Sequence, residues 1–164
     1  MVWIIGIALA IIGVVLLILR GVKGPAKTLE TIERPISDLL KRGYDGGFLL
    51  IDIARTKNFL QLRKYINKPD EYGIELCFPN ASWSSGYFQQ LKELCDNEKL
   101  KYSITEKKDS SESMEFLCID FGKDAHTSYK FVKRILIEIF KVDVNVKLFV
   151  RLENAAIEDI LINK

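Results

Sequence analysis

The sequence predicts an α+β protein in two unequal parts, one N-terminal transmembrane helix followed by one small soluble domain. Charge is the first reason: all 24 basic and 22 acidic side chains lie at or beyond Arg20, so residues 1–19 are uncharged and almost wholly apolar. Periodicity is the second: beyond Arg20 the apolar residues switch between helical spacing and the alternation of strands. Length is the third, since 164 residues suffice for one membrane segment and one domain of ordinary size.

Residues 2–19, VWIIGIALAIIGVVLLIL, make a helix of about 27 Å at ~1.5 Å per residue, enough for a hydrocarbon core of ~30 Å. Trp3 stands where an interfacial aromatic anchors a span. A cleaved signal carries basic residues before its apolar run and a small-residue cleavage site after it. This run opens on Val2-Trp3-Ile4-Ile5 and closes on Arg20-Gly21-Val22-Lys23, so it is expected to remain in the lipid bilayer as an anchor. No basic side chain precedes it, whereas Arg20, Lys23 and Lys27 follow, which puts the N-terminus outside and the C-terminal domain in the cytoplasm. Gly6 and Ala10, four apart, form a small-residue face suited to homo-oligomer formation. The three cysteines, Cys77, Cys95 and Cys118, are odd in number and lack a CxxC pair, in keeping with a reducing compartment.

Residues 20–27, RGVKGPAK, read as a juxtamembrane linker and 28–164 as the α+β domain. Within Thr28–Arg42, Leu29, Ile32, Ile36, Leu39 and Leu40 recur at helical spacing; Pro35 predicts two short helices or a kink, and Gly43 a stop. Phe48–Ile53 reads as a strand. Leu60, Leu62 and Ile66 alternate with polar residues, Lys64 breaks the pattern, and Lys68-Pro69-Asp70 turns the chain toward Ile74, Leu76 and Phe78; a hairpin fits best, and a helix over 57–66 is the other reading. A strand at 73–78 then precedes a helix at 84–97, a strand at 100–104, a polar turn KKDSSES at 107–113 and an apolar strand at 114–121. A helix over 125–141, an alternating strand over 146–152 and a tail helix over 155–162 complete the domain. The order β-α-β-β-α-β is the split βαβ pattern of ferredoxin-like folds, with an extra N-terminal helix and strands.

Chemistry is sparse. A net charge of +2 and a third core strand, Met114–Phe121, without Lys or Arg argue against nucleic acid. The cysteines and His126 lack metal-ligand spacing, so no metal, cofactor or catalytic residue is predicted. IDFGKDAHTS (119–128) joins a strand end to a helix start, where Asp120, Asp124 and His126 are ligand-binding candidates. The competing account makes Asp124 a helix cap and Gly122 a turn residue. CFPNASWSSGYF (77–88) offers Trp83 and Tyr87 as partner-binding candidates, against Ser82 or Ser84 capping a helix with Trp83 packed down.

RGYD (42–45) and ARTKN (54–58) resemble short segments of some bacterial immunity proteins, which neutralise polymorphic toxins; Phe59 stands where Pro would follow Asn58. The resemblance implies a partner-blocking role. The expected function is a single-pass membrane-anchored, non-enzymatic protein whose cytoplasmic domain binds a protein partner. The alternatives are an immunity protein or a small ligand-binding or enzyme domain at 119–128.

Overall fold

Apolar–polar alternation resolves into one antiparallel sheet of seven strands in a computed structural model that describes residues 24–109 and 112–157. The elements are β1 (Ala26–Lys27), α1 (Glu33–Arg42), β2 (Gly43–Ile53), β3 (Phe59–Lys68), β4 (Glu71–Pro79) and α2 (Ser85–Asn97). β5 (Ser103–Asp109), β6 (Glu112–Asp120), α3 (Ala125–Arg134) with a π-helical turn (Ile135–Ile139), and β7 (Leu148–Ala155) follow. The α+β class stands as the sequence predicts.

Strand order is β1-β7-β2-β3-β4-β6-β5. This corrects the ferredoxin-like expectation. In that fold the last strand of the motif returns beside the first, which would set β7 against β4. Here β3 takes that edge of β4 through the short turn at Pro69-Asp70, β2 pairs with β3, and β7 pairs with β2. A hairpin formed locally occupies the edge that a distant strand would otherwise reach. The β4-α2-β5-β6 half keeps the expected arrangement, with β6 between β4 and β5.

Leu49 and Ile51 of β2, Leu60 and Leu62 of β3, Leu76 of β4 and Leu117 of β6 project from one face of the sheet. They meet Ile36 and Leu39 of α1, Phe88 and Leu91 of α2, and Val132 and Leu136 of the last helix in a single core. The other face carries Gln61, Arg63, Glu75, Cys77, Cys118 and Asp120. Phe48 and Leu50 are also buried there, apart from that core.

Pro35 neither kinks nor splits a helix. It is the third residue of α1, where its missing N–H is one of the first-turn groups that have no intrahelical acceptor. Lys64 breaks the alternation of β3 for a reason: only 5 % exposed, it donates from Nζ to the Leu40 carbonyl at 2.6 Å and so closes the C-terminus of α1. Burial pushes its ammonium below the usual lysine range. Within the run expected as a polar turn, Lys107, Lys108 and Asp109 pair with Met114, Ser113 and Glu112, because backbone hydrogen bonds extend the β5–β6 ladder whatever the polarity of the sequence. The predicted long helix over 125–141 widens at its end, where Phe140 N–H donates to the Ile135 carbonyl five residues back, at 3.0 Å.

Among the described residues no helix is long and apolar enough to cross a membrane. The anchor expected over 2–19, with its Gly6/Ala10 face, lies outside the described residues. So does most of the expected tail helix, whose first residue, Ala155, belongs to β7.

Candidate functional site

The 119–128 turn is built as its competing account expects. Gly122 adopts φ +54°, a left-handed conformation that glycine enters without strain, and turns the end of β6 into α3. Asp124 caps α3: Oδ1 accepts the Thr127 N–H at 2.8 Å and Oδ2 accepts the Thr127 hydroxyl at 2.7 Å. The backbone hydrogen bond from Thr127 holds the Asp124 carboxyl below the usual carboxylate range. Asp120 accepts from the Tyr65 hydroxyl at 2.9 Å and from Gly122 N–H at 2.8 Å. His126 Nδ1 meets Glu33 Oε1 at 2.6 Å, across to α1. Asp120, Asp124 and His126 are thus neighbours in sequence, each engaged with a different partner. Among the described residues, no group of three or more His, Cys, Asp or Glu side chains is placed to hold a metal ion.

Trp83 and Tyr87 sit half-buried in one chain of rings that runs from Phe59 through Trp83, Phe78 and Phe140 to Tyr87. Trp83 lies 5.0 Å from Phe59 and 6.0 Å from Phe78; Phe78 is 6.1 Å from Phe140, and Tyr87 meets Phe140 edge-on at 4.8 Å. The Tyr87 hydroxyl also accepts from Asn58 Nδ2 at 3.3 Å. Ser84 stands at the N-cap of α2, yet its hydroxyl reaches backward, donating to the Pro79 carbonyl at 2.6 Å and accepting from Ala81 N–H at 2.9 Å. These residues fasten the 79–88 loop to the core, with the outer surfaces of the two aromatics still reachable.

A more open feature lies at the other end of the sheet. Pro25 and Lys27 at β1, Arg34, Pro35, Asp38 and Arg42 along α1, Leu49 of β2 and Val150–Leu152 of β7 line a groove of about 440 Å³. Gly24 lets β1 lie against β7, because a Cβ there would collide with the Val150 carbonyl. On α1 the spacing of four puts Arg34, Asp38 and Arg42 on one face. Arg34 Nε and Arg42 Nη1 each stand 3.9 Å from Asp38 Oδ2, and Arg42 Nε donates to the Ala156 carbonyl at 3.0 Å. The Arg34 side chain remains 72 % exposed, while Arg151 is only 8 % exposed.

Lys27, Arg34 and Arg42 thus line the groove with one carboxylate, Asp38, over an apolar floor, while Arg151, paired with Leu50, projects from the opposite face of the sheet. Such a lining attracts an anionic group that also carries apolar surface. Sequence reading missed it because Lys27 meets α1 only through the β1–β7–β2 pairing. The Arg34/Asp38/Arg42 repeat was the one local signal. No family model, curated protein or solved structure matches this chain.

Proposed function

We propose that the chain is a single-pass membrane-anchored, non-enzymatic interaction protein whose cytoplasmic domain receives an acidic segment of a protein partner in the groove beside α1. One observation carries the reading: the groove gathers three cations, Lys27, Arg34 and Arg42, with one carboxylate, Asp38, and with Leu49, Val150 and Leu152 beneath. Its position supports tethering. Pro25 lines the groove, and five residues separate it from Leu19, a reach of at most about 22 Å. An anchor over 2–19 would hold the groove close to the inner membrane face and raise its effective concentration toward membrane-proximal partners. An immunity protein is a specific form of this reading, favoured by the presence of Arg42, the first residue of the RGYD segment, in the groove lining.

The test uses the full chain in neutral-lipid nanodiscs and a labelled peptide of alternating glutamate and leucine. Binding should weaken with added salt and fall roughly tenfold on the double substitution Lys27→Glu with Arg34→Glu. Binding indifferent to both substitutions would remove the groove from the account. Stronger attachment to phosphatidylserine vesicles than to the peptide would make the partner a lipid surface instead.

A further inference from the structure

Cys77 of β4 and Cys118 of β6 are direct partners in the antiparallel register. Three positions along β4, Asn80 N–H donates to the Glu115 carbonyl at 2.8 Å, so the alternation of the ladder makes Cys77–Cys118 a non-hydrogen-bonded pair. Such pairs set Cα atoms at about 4.5 Å, within the ~4.4–6.8 Å that a disulfide spans. Their Sγ atoms stand 3.3 Å apart. Both are half-buried on the face away from the helices, whereas Cys95 is buried in the core on α2.

Two thiols serving only as small apolar fillers belong on the core face, as Cys95 does. This pair instead shares a polar face with Arg63, whose Nε donates to Glu75 Oε1 at 2.6 Å on the adjoining rung, and Thr105 Oγ1 lies 3.9 Å from Cys118 Sγ. The hydrogen bond shared with Cys77 holds the Cys118 thiol below the ordinary range, with Thr105 and Arg63 acting in the same sense against burial and Glu75. The same thiol–thiol bond, together with burial, pushes Cys77 up.

We propose that Cys77 and Cys118 form a redox-active dithiol that closes to a cross-strand disulfide with hydrogen peroxide as oxidant. The Cys118 thiolate attacks one peroxide oxygen, the O–O bond breaks, and the departing hydroxide takes up a proton to leave as water. Cys118 is then a sulfenic acid. The Cys77 sulfur attacks the Cys118 sulfur; the S–S bond forms, the S–O bond breaks, and the hydroxyl leaves with the Cys77 proton as a second water. Two thiols lose two electrons and one peroxide gains them. The new bond fastens the β6–β5 hairpin to β4.

The full chain in detergent micelles is exposed to a small excess of peroxide, alkylated, digested without reductant and analysed by mass spectrometry. The expected product keeps one alkylatable thiol of three, Cys95, and yields a peptide joined between Cys77 and Cys118. Cys95→Ser should give the same joined peptide and keep no alkylatable thiol. Cys77→Ser should stop at a Cys118 sulfenic acid that dimedone traps. No oxidation, oxidation spread evenly over the three cysteines, disulfides between copies, or a 77–118 link seen only after denaturation would overturn the proposal.

Discussion

The 119–128 turn and the groove beside α1 differ in how their polar groups are used. In the turn, Asp124 is spent on capping α3, Asp120 on Tyr65 and Gly122, and His126 on Glu33. Its chemistry-bearing residues lie close in sequence, which made the segment conspicuous, and partners from within the turn, from β3 and from α1 then absorbed them. The groove is the reverse. Its cations come from β1 and α1, and the single carboxylate among them, Asp38, stands 3.9 Å from both Arg34 and Arg42. In the turn each acidic or imidazole group meets its own partner, whereas in the groove three cations share one carboxylate, a positive balance that favours an anionic ligand.

The largest effect expected from one substitution lies in the wall of the groove. Leu39, fully buried, seats α1 on the sheet; Leu39→Ala should cost about 2–5 kcal/mol, read as a lower urea midpoint, and should loosen the groove while the 119–128 turn keeps its hydrogen-exchange protection. Equal loss of protection at both places would break the contrast.

Lys64→Ala comes next. It strips the Leu40 carbonyl of its side-chain donor, at about 1–3 kcal/mol, again measured by chemical denaturation, and α1 should fray from its C-terminal end.

A smaller effect belongs to the turn. Burial, followed by the hydrogen bond to Asp120, pushes the Tyr65 phenol up to about 12 from its ordinary 10.0. The folded chain therefore retains a proton that the unfolded chain gives up over that window. The contribution is complete below pH 10.0 and is lost as pH rises toward about 12. Tyr65→Phe should flatten that part of the alkaline stability curve and leave peptide binding in the groove unchanged.

Local physics explains what was legible. Alternation at Ile74, Leu76 and Phe78 and the helical face of Phe88, Leu91 and Cys95 placed β4, α2 and β6 correctly, since each element announces its own period, whereas β5 runs Ser103–Asp109, beyond the expected 100–104 and into the polar run. Asp124 as cap and Gly122 as turn residue were equally local. The position of β7 was not, because it depends on which strand wins the free edge of β4, and the Pro69-Asp70 hairpin decides that. Lys64 was visible as an irregularity in β3, but its acceptor lies on another element. Lys27 carried no signal at all until β1 was set beside β7 and β7 beside β2.

The central claim is that the groove, and not the turn, meets the partner. A photo-crosslinking residue placed at Arg34, and in a second chain at His126, tests it most directly in intact cells that express the full-length protein. The account predicts a discrete protein adduct from position 34 that disappears when Lys27→Glu is added, and none from position 126. An adduct from position 126 with none from position 34 would contradict it.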